Sequence, residues 1–154
     1  EKKVDQALRA GAMAIGAAVE ISTSPGYMPS KFDPALNDLY DESAVTLVGE
    51  SGTGRMPHRT SSTDMGDMSV IMPSMQSYVG GASGRTHSNE FEITDWELDV
   101  IDAGKALAFT VIDLLADDAA RGIEIIDGFE AELTIPEYLE TLRSFRRVET
   151  WDGQ

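Results

Sequence analysis

The chain has 154 residues, no cysteine and a formal net charge of −15. Its length is typical of one domain, and its charge argues against nucleic acids and anionic membrane surfaces as partners, because both need clustered Lys and Arg. The absence of cysteine excludes disulfides, thiolate metal sites and a catalytic Cys, and it is compatible with the cytoplasmic location that we expect. No apolar run reaches the roughly 20 residues that span a bilayer.

The first predicted elements are a helix and a short strand. Apolar residues recur at helical spacing over residues 3–18, and many of them are alanines. The residues of this apolar face are Val4, Ala7, Leu8, Ala14, Ile15 and Ala18. Residues 19–23 then predict a strand that ends at the turn sequence Ser24-Pro25-Gly26.

The central segment predicts one capped helix between loops. Asp33 fits an N-cap with Pro34 at the first helical position, and the apolar pattern extends the helix to about Val48. A Gly-rich loop follows, and residues 64–69 predict a single helical turn. We expect residues 70–73 and 75–79 to be extended and buried, since both runs are short and apolar.

The last third of the chain predicts two helices. Thr94 and Glu97 fit a capping box that starts a helix reaching Asp117. The apolar face of this helix consists of Leu98, Ile101, Ala108, Val111, Ile112 and Leu115. Residues 123–133 fit a strand or an extended connection, and Pro136 starts a final helix to about Phe145. The element order indicates a mixed α/β protein with too few strands to close a large sheet alone.

A Gly-rich stretch near the middle imitates a nucleotide-binding loop. Residues 45–55 read as a strand followed by Gly-Glu-Ser-Gly-Thr-Gly-Arg. The phosphate-binding motif needs Lys and then Ser or Thr after the last Gly, but Arg55 and Met56 occupy those positions. Pro57 also stands where the phosphate-binding helix would continue. We therefore favour a polar loop and keep nucleotide binding as a weaker alternative.

Two histidines and two carboxylates are the candidate site residues. A catalytic metal site needs about three protein ligands, so His58 and His87 alone cannot form a His-rich zinc site. His87, in a Gly-rich loop, is the better candidate ligand, although an exposed histidine is the simpler interpretation of both. Asp64 and Asp67 could orient a metal ligand, or they could cap a helix and form a turn.

Three blocks resemble the dizinc amidohydrolase and metallopeptidase family of aminoacylases, glutamate carboxypeptidases and aminobenzoyl-glutamate hydrolases. Residues 62–69, Ser-Thr-Asp-Met-Gly-Asp-Met-Ser, resemble the Ser-Thr-Asp-x-Gly-Asp-x-Ser block of the aminobenzoyl-glutamate hydrolase branch. Thr86-His87-Ser88, followed by Phe91 and an Ala-rich helix, resembles the late metal-binding His and the C-terminal helix. Residues 11–29 resemble the last helix and strand of the inserted lid, or dimerisation, domain.

The resemblance implies a fold and a division into domains. The chain would be the C-terminal part of an α/β, zinc-peptidase-like, three-layer catalytic domain. Residues 1–30 would end the lid domain, and residues 31–154 would form the C-terminal half of the catalytic domain. The resemblance also implies a homodimer that forms through the lid domain of the intact protein.

The resemblance further implies the site and its chemistry. His87 would bind one of two zinc or similar divalent ions, Asp64 and Asp67 would support the site, and Gly80 and Gly81 would form a loop at the substrate. The metal ions would activate a water that cleaves an amide, in an N-acyl or aminobenzoyl amino acid or a peptide. The general-base Glu and the other ligands are expected in sequence upstream, so this chain alone is expected to be inactive.

Two other functions remain open from the sequence. The missing ligands and the N-terminal helix and strand also fit a stand-alone binding or oligomerisation module without catalysis. A degenerate nucleotide-binding domain is the third and weakest alternative, because it rests on the Gly-rich loop alone.

Overall fold

The computed structural model describes residues 2–57 and 60–153. About 53% of the chain is helical and about 9% is in strands, so the predicted mixed α/β class is confirmed and helices dominate it. The strands form two separate two-stranded sheets. One compact unit combines the N-terminal segment to Gly26 with the segment from Leu133 onward, and the second unit is Tyr27–Glu132. The contacts therefore group the C-terminal segment with the N-terminal one, whereas the sequence-based division joined residues 133–154 to the central segment.

The first unit contains two helices and one antiparallel strand pair. Helix α1 (Lys2–Ala14) precedes β1 (Val19–Thr23), which matches its predicted bounds. Helix α5 (Ile135–Phe145) precedes β4 (Arg147–Trp151), which pairs antiparallel with β1. Both predicted helices and the predicted strand are confirmed, and the pairing of β1 with a C-terminal strand is a tertiary feature that the sequence did not indicate.

Helix α1 ends four residues before the predicted end because Gly16 reverses the chain. Gly16 has a φ of 66°, in the left-handed region that glycine enters without strain. The N–H of Ala17 donates to the carbonyl of Ala12 at 2.9 Å, and the N–H of Gly16 donates to the carbonyl of Met13 at 3.1 Å. These two bonds define a Schellman motif, which satisfies carbonyl groups at the end of the helix.

The predicted apolar face of α1 is not buried. Val4 is 60% exposed and Ile15, just beyond the helix, is 80% exposed, whereas Asp5 is buried. The carboxylate of Asp5 accepts a hydrogen bond from the guanidinium of Arg147 at 2.5 Å, and Arg9 is paired with Glu149. Helix α1 therefore contacts the strand pair through charged side chains, and the expectation of apolar packing was wrong.

The second unit begins with the predicted capped helix. Helix α2 (Pro34–Val48) has Asp33 as N-cap, and the Asp33 carboxylate accepts a hydrogen bond from the N–H of Leu36 at 2.9 Å. A short 3₁₀ helix (Glu50–Gly52) follows, and helix α3 (Met65–Ser69) matches the predicted single turn. The positions of α2 and α3 agree with the sequence-based prediction because their caps and turns are local, whereas the 3₁₀ helix lies in the predicted loop.

The prediction that residues 70–73 are extended was wrong, and the predicted run at residues 75–79 is not buried throughout, because Tyr78 is 55% and Val79 36% exposed. Val70 is 1% exposed, but its φ of −87° and ψ of −14° are helical. The N–H groups of Ile71 and Met72 both donate to the carbonyl of Met68, which makes a turn. Residues 73–81 are irregular and form no strand. Burial of Val70 was foreseen, but the turn replaces the strand.

A small hairpin and the longest helix complete the second unit. Strand β2 (Ala82–Ser83) pairs antiparallel with β3 (Glu92–Ile93), and a π-helical segment (Glu97–Asp102) leads into helix α4 (Ala103–Gly128). The regular helix is interrupted at residues 116–119, where three residues have positive φ. The first regular stretch thus ends near the predicted end, but residues 123–128 are helical and not extended.

The start of this long helix differs from the predicted capping box. The N–H of Leu98 donates to the carboxylate of Asp95 at 3.1 Å, so Asp95 is the capping side chain. The hydroxyl of Thr94 instead donates to the carbonyl of Gly81 at 3.1 Å. The predicted Thr94–Glu97 capping box was wrong, because the Thr94 hydroxyl donates its hydrogen bond to a distant carbonyl.

The core of the second unit lies between α2 and α4. Leu39 and Ala106 are buried there, and the hydroxyls of Ser43 and Thr110 lie 3.3 Å apart at the contact. The predicted apolar face of the long helix points away from this core: Ile101, Ala108, Val111, Ile112 and Leu115 are all exposed. That packing prediction was wrong. Among the described helices, none is long and apolar enough to cross a membrane.

Candidate functional site

Side chains of the Ser-Thr-Asp-Met-Gly-Asp-Met-Ser block bind backbone N–H groups of residues 28–31, which lie far away in the sequence. The carboxylate of Asp67 accepts a hydrogen bond from the N–H of Met28 at 2.8 Å. The hydroxyl of Ser69 accepts one from the N–H of Lys31 at 2.9 Å and donates to the carbonyl of Gly66 at 2.8 Å. Two side chains of α3 therefore satisfy backbone donors of residues 28–31, which we call the clamped segment.

Gly66 is required by the closeness of this contact. A Cβ on Gly66 would lie 1.9 Å from the carbonyl oxygen of Met28. A backbone atom cannot rotate away from such a contact as a flexible side chain could, so a larger residue would displace the clamped segment. The glycine in the middle of the block thus has a packing role that its sequence position did not reveal.

The two acidic residues of the block have different environments. Asp67 is half-buried and bonded to the clamped segment, whereas Asp64 is exposed and its carboxylate accepts a hydrogen bond from the hydroxyl of Thr63 at 3.1 Å. The carbonyl of Asp64 accepts the N–H of Asp67 at 3.0 Å, as in a helical first turn. The contacts of both residues are thus those of local turn formation and backbone positioning, and their support of a metal site stays a prediction.

His87 lies in the hairpin loop that joins β2 to β3. A Cβ on Gly84 would lie 2.1 Å from the carbonyl oxygen of Glu90, so the loop closes tightly at its base. Within the loop, the hydroxyl of Ser88 donates to the carbonyl of Arg85 at 2.7 Å and accepts the N–H of Glu90 at 3.2 Å. His87 is exposed and has a φ of 62°. The local bonds therefore hold a loop that presents this imidazole to the outside.

Gly80 and Gly81 pack against the start of the long helix. The carbonyl of Gly81 accepts hydrogen bonds from the N–H groups of Thr94 at 2.7 Å and Asp95 at 2.9 Å. Gly81 has a φ of 93°, and a Cβ there would lie 2.8 Å from Cβ of Asp99. A Cβ on Gly80 would lie 3.3 Å from Leu98. These contacts explain both glycines by chain packing, while their predicted position beside a substrate stays a prediction.

Gly80 also lines a cleft of about 250 Å³ between α2 and the start of the long helix. Asp41 and Asp102 belong to its lining, as do Tyr40 and Tyr78. The sequence did not indicate these four residues, because they come together only when α2 packs on α4. The sole local signal near them was the Gly-rich loop, since Gly52 to Gly54 form part of the wall.

Both carboxylates of the cleft are paired with cations. Asp41 lies 3.1 Å from Arg55, which also pairs with Asp38, and Asp102 lies 2.9 Å from Lys105. The hydrogen bond from Asp38 and its negative charge raise the pKa of Arg55, and Asp41 adds to the effect. The hydrogen bond to Asp102 raises the pKa of Lys105. Both cations therefore stay charged at neutral pH, and the cleft has little excess charge of its own.

The described residues do not assemble a metal centre. Across residues 2–57 and 60–153, no group of three or more His, Asp or Glu side chains is arranged to hold a metal ion. His87, Asp64 and Asp67 are thus not brought together as one set of ligands. His58 lies outside the described residues. His87 is exposed in its loop, and its role as a metal ligand stays a prediction.

The structure does not provide the arrangement of a phosphate-binding loop. Residues 45–48 form the last turn of α2, whereas the nucleotide-binding motif follows a strand. The described residues between Thr53 and Thr63 are irregular, and no phosphate-binding helix follows the glycines there. The Gly-rich stretch is a connection after a helix, which agrees with the interpretation that we favoured from the sequence.

Comparison of the chain with protein-family models, with curated proteins and with solved structures gives no match. The dizinc amidohydrolase resemblance therefore rests on the three sequence blocks alone, of which residues 62–69 and the His87 loop are the more specific. Their local geometry is the basis on which a function is considered below.

Proposed function

We propose that this chain is the C-terminal part of a metal-dependent amidohydrolase, with His87 as a ligand of one divalent ion. The observation that carries the proposal is the hairpin loop, whose tight base at Gly84 presents an exposed imidazole. Neutral imidazole is the commonest protein ligand for zinc. The family resemblance supplies the reaction class, which is hydrolysis of an amide in an N-acyl or aminobenzoyl amino acid or a peptide.

In this proposal the block at residues 62–69 has a positioning role. Asp67 and Ser69 hold the clamped segment by its N–H groups, and Gly66 lets the two backbones approach. These groups bind backbone atoms of the same chain, so we assign them to positioning the backbone near a site and not to binding a ligand. The finer fold, a three-layer catalytic domain preceded by the end of a lid domain, belongs to the same proposal.

The remaining chemistry is assigned to residues outside this sequence. In the proposal, the other metal ligands and the general-base Glu come from a preceding part of a longer protein. Two zinc ions would supply an activated water there. Such a protein would form a homodimer through its lid domain in the cytoplasm, and this chain alone would be inactive.

The first test is the coding DNA immediately upstream of the Glu1 codon. The proposal expects an in-frame extension that encodes a His-x-Asp pair and an adjacent Glu-Glu pair. A start codon at the boundary, with no such extension, would contradict it.

The second test is enzymatic and uses the extended protein loaded with zinc. We expect His87→Ala to lower the rate of hydrolysis of an N-acyl or aminobenzoyl amino acid by at least about 100-fold, because one ligand is lost. Asn89→Ala is the matched control, because Asn89 is an exposed polar residue of the same loop and has no predicted part in the site. An unchanged rate in His87→Ala would overturn the assignment. For the 154-residue chain with zinc added, the proposal expects no hydrolysis, and activity that His87→Ala removes would contradict its inactivity.

A second candidate function is assembly without catalysis. One observation favours it: the apolar face of the long helix is exposed, with Ile112 60% and Leu115 67% accessible. Apolar patches of this kind mark interaction surfaces. This candidate needs no metal, and it predicts that His87→Ala leaves the association state unchanged.

A further inference from the structure

The cleft between α2 and the start of the long helix has a lining that is partly apolar and partly acidic. Six small residues make room where its walls meet, namely Ala44, Gly52, Gly54, Gly80, Ala103 and Ala106. Larger aliphatic residues such as Leu47 and Leu98 complete the apolar part. An apolar protein cavity of about 150 Å³ can hold benzene. The cleft volume of about 250 Å³ therefore leaves room for a ring of that size and a short side chain.

The surroundings of the cleft carry more negative than positive charge. Each aspartate of the lining shares its cation with a second carboxylate from outside the lining. The first group consists of Asp38, Arg55 and Asp41, and the second of Glu97, Lys105 and Asp102. Two carboxylates share one cation in each group, so one negative charge remains in each. The lining is nearly neutral by itself, but its immediate surroundings favour a cationic ligand over an anionic one.

The two aspartates of the lining also retain capacity to accept hydrogen bonds. Asp41 accepts from Arg55 through Oδ2, and Asp102 accepts from Lys105 through Oδ1. A carboxylate has a second oxygen that can accept further donors. An ammonium group has three donors and no acceptor, so its chemistry complements these two side chains.

One wall of the cleft has an uncommon backbone conformation. Leu98 and Asp102 belong to the π-helical segment (Glu97–Asp102), and both line the cleft. π-Helical segments are rare, and they frequently occur at functional sites. This conformation is an indication of a binding site that is independent of the volume and the charge of the cleft.

We infer that this cleft binds a small organic cation, namely a primary amine carried by a short chain on a benzene-sized ring. The apolar part of the lining suits the ring, and the acidic surroundings suit the ammonium group. Tyr40 and Tyr78 suit both parts of such a ligand, because aromatic residues pack against rings and attract cations. The inference goes beyond the proposed function, since it uses neither His87 nor a metal ion.

An NMR titration of the isotope-labelled 154-residue chain tests the inference, with phenethylamine as the probe. We expect the amide resonances of Gly54, Gly80 and Ala103 to shift together, with a Kd on the order of 1 mM. Phenethyl alcohol has the same ring and chain but no charge, and it should bind at least about 5-fold more weakly at low salt. The absence of shifts at these amides up to about 10 mM amine would overturn the site. Equal affinity for the alcohol would overturn the cationic class of ligand.

Substitution of Asp102 tests the charge without filling the cleft. Asp102→Asn should weaken binding of phenethylamine at least about 3-fold and leave binding of phenethyl alcohol unchanged, because only the amine depends on the negative charge. Asp127→Asn is the matched control, since it makes the same charge change at an exposed position of α4 outside the lining. Equal weakening by both substitutions would mean a general attraction to an acidic surface and would overturn the assignment to the cleft.

Substitution of Ala103 tests the volume. Ala103→Leu enlarges a residue of the lining and should weaken binding of both probes at least about 10-fold, whereas Ala108→Leu makes the same change at an exposed position of α4 outside the lining. Unchanged binding to Ala103→Leu would overturn the site. His87→Ala should leave phenethylamine binding unchanged, because His87 does not belong to the lining. Amine binding can therefore fail while His87-dependent hydrolysis in the extended protein persists, and the reverse is equally measurable.

Discussion

The carboxylate of Asp67 accepts a hydrogen bond from the backbone N–H of Met28, which lies 39 residues earlier in the chain. This bond and the neighbouring bond from the N–H of Lys31 to Ser69 connect α3 to the clamped segment. Both acceptors belong to the block that carries the family resemblance. In this structure the block acts first as a fastening between two parts of one unit.

Removal of the Asp67 carboxylate should destabilise the second unit. Asp67→Ala leaves the N–H of Met28 without its partner, which costs about 1 to 3 kcal/mol. Urea unfolding in a Trp151→Phe background measures this change, because Trp96 then reports on the second unit alone. Asp64→Ala, at an exposed neighbour, should shift stability by less than about 0.5 kcal/mol. Equal effects of the two substitutions would argue against the clamp.

Gly66 should tolerate no side chain. Gly66→Ala places a methyl group 1.9 Å from the carbonyl oxygen of Met28, so the clamped segment must move. We expect a loss of about 1 to 3 kcal/mol and faster hydrogen exchange of the Met28 amide, measured by NMR. Gly54→Ala is the control, since nothing lies within 4 Å of a Cβ built there. Unchanged exchange at Met28 would show that the close approach is not needed.

Asp5 and Arg147 should matter more for the first unit than the apolar residues of α1. Asp5 is buried and paired with Arg147, whose side chain is 36% exposed. Asp5→Ala should therefore destabilise the unit by about 2 kcal/mol, a loss between those expected for surface and for fully buried ion pairs. Val4→Ala, at an exposed position, should have almost no effect. Thermal unfolding in a Trp96→Phe background, followed by Trp151, distinguishes them. A larger effect of Val4→Ala would mean that apolar packing holds α1.

Protonation of the Glu137 carboxylate at low pH should destabilise the N-terminus of α5. The hydrogen bonds from the hydroxyl and the N–H of Thr134, at 2.6 and 2.8 Å, lower the pKa of Glu137 from 4.5. Because the folded state has the lower pKa, the carboxylate contributes stability above pH 4.5, and this contribution is lost as pH falls through the lowered pKa.

NMR exchange of the Thr134 amide measures this loss. We expect protection to fall on acidification below about pH 4 in the native chain. In Glu137→Gln, which cannot titrate, the same amide should show no such step. A step of equal size in both proteins would assign the effect to another group.

Local capping was readable from the sequence at both ends of the chain. Asp33 and Pro34 start α2 as predicted, and the start of α5 near Pro136 was also predicted, although its Thr134–Glu137 capping box was not. The donors and acceptors of these caps lie within one turn, so the sequence contains all of their partners. Strand β1 was predicted with its bounds for a similar reason, because turn residues border it.

Caps and packing faces that depend on distant atoms could not be predicted from the sequence. Asp95 rather than Thr94 caps the long helix, because the carbonyl of Gly81, 13 residues earlier, takes the Thr94 hydroxyl. The periodicity located the apolar faces of α1 and α4 correctly, but it could not say which face packs. On each helix a polar residue is buried instead of the apolar face. Asp5 of α1 binds Arg147, and Thr110 of α4 binds Ser43.

The sequence by itself determined the positions of most helices, the Asp33 cap of α2, the absence of thiol chemistry and the exposed position of His87 in a Gly-rich loop. Only the tertiary structure decided that Asp67 bonds to Met28, that Gly66 must be a glycine and that the apolar residues Val111, Ile112 and Leu115 of α4 are exposed. The physical reason is the range of the interactions. A cap joins groups a few residues apart, whereas a clamp or a packing face exists only after long stretches of chain have been brought together.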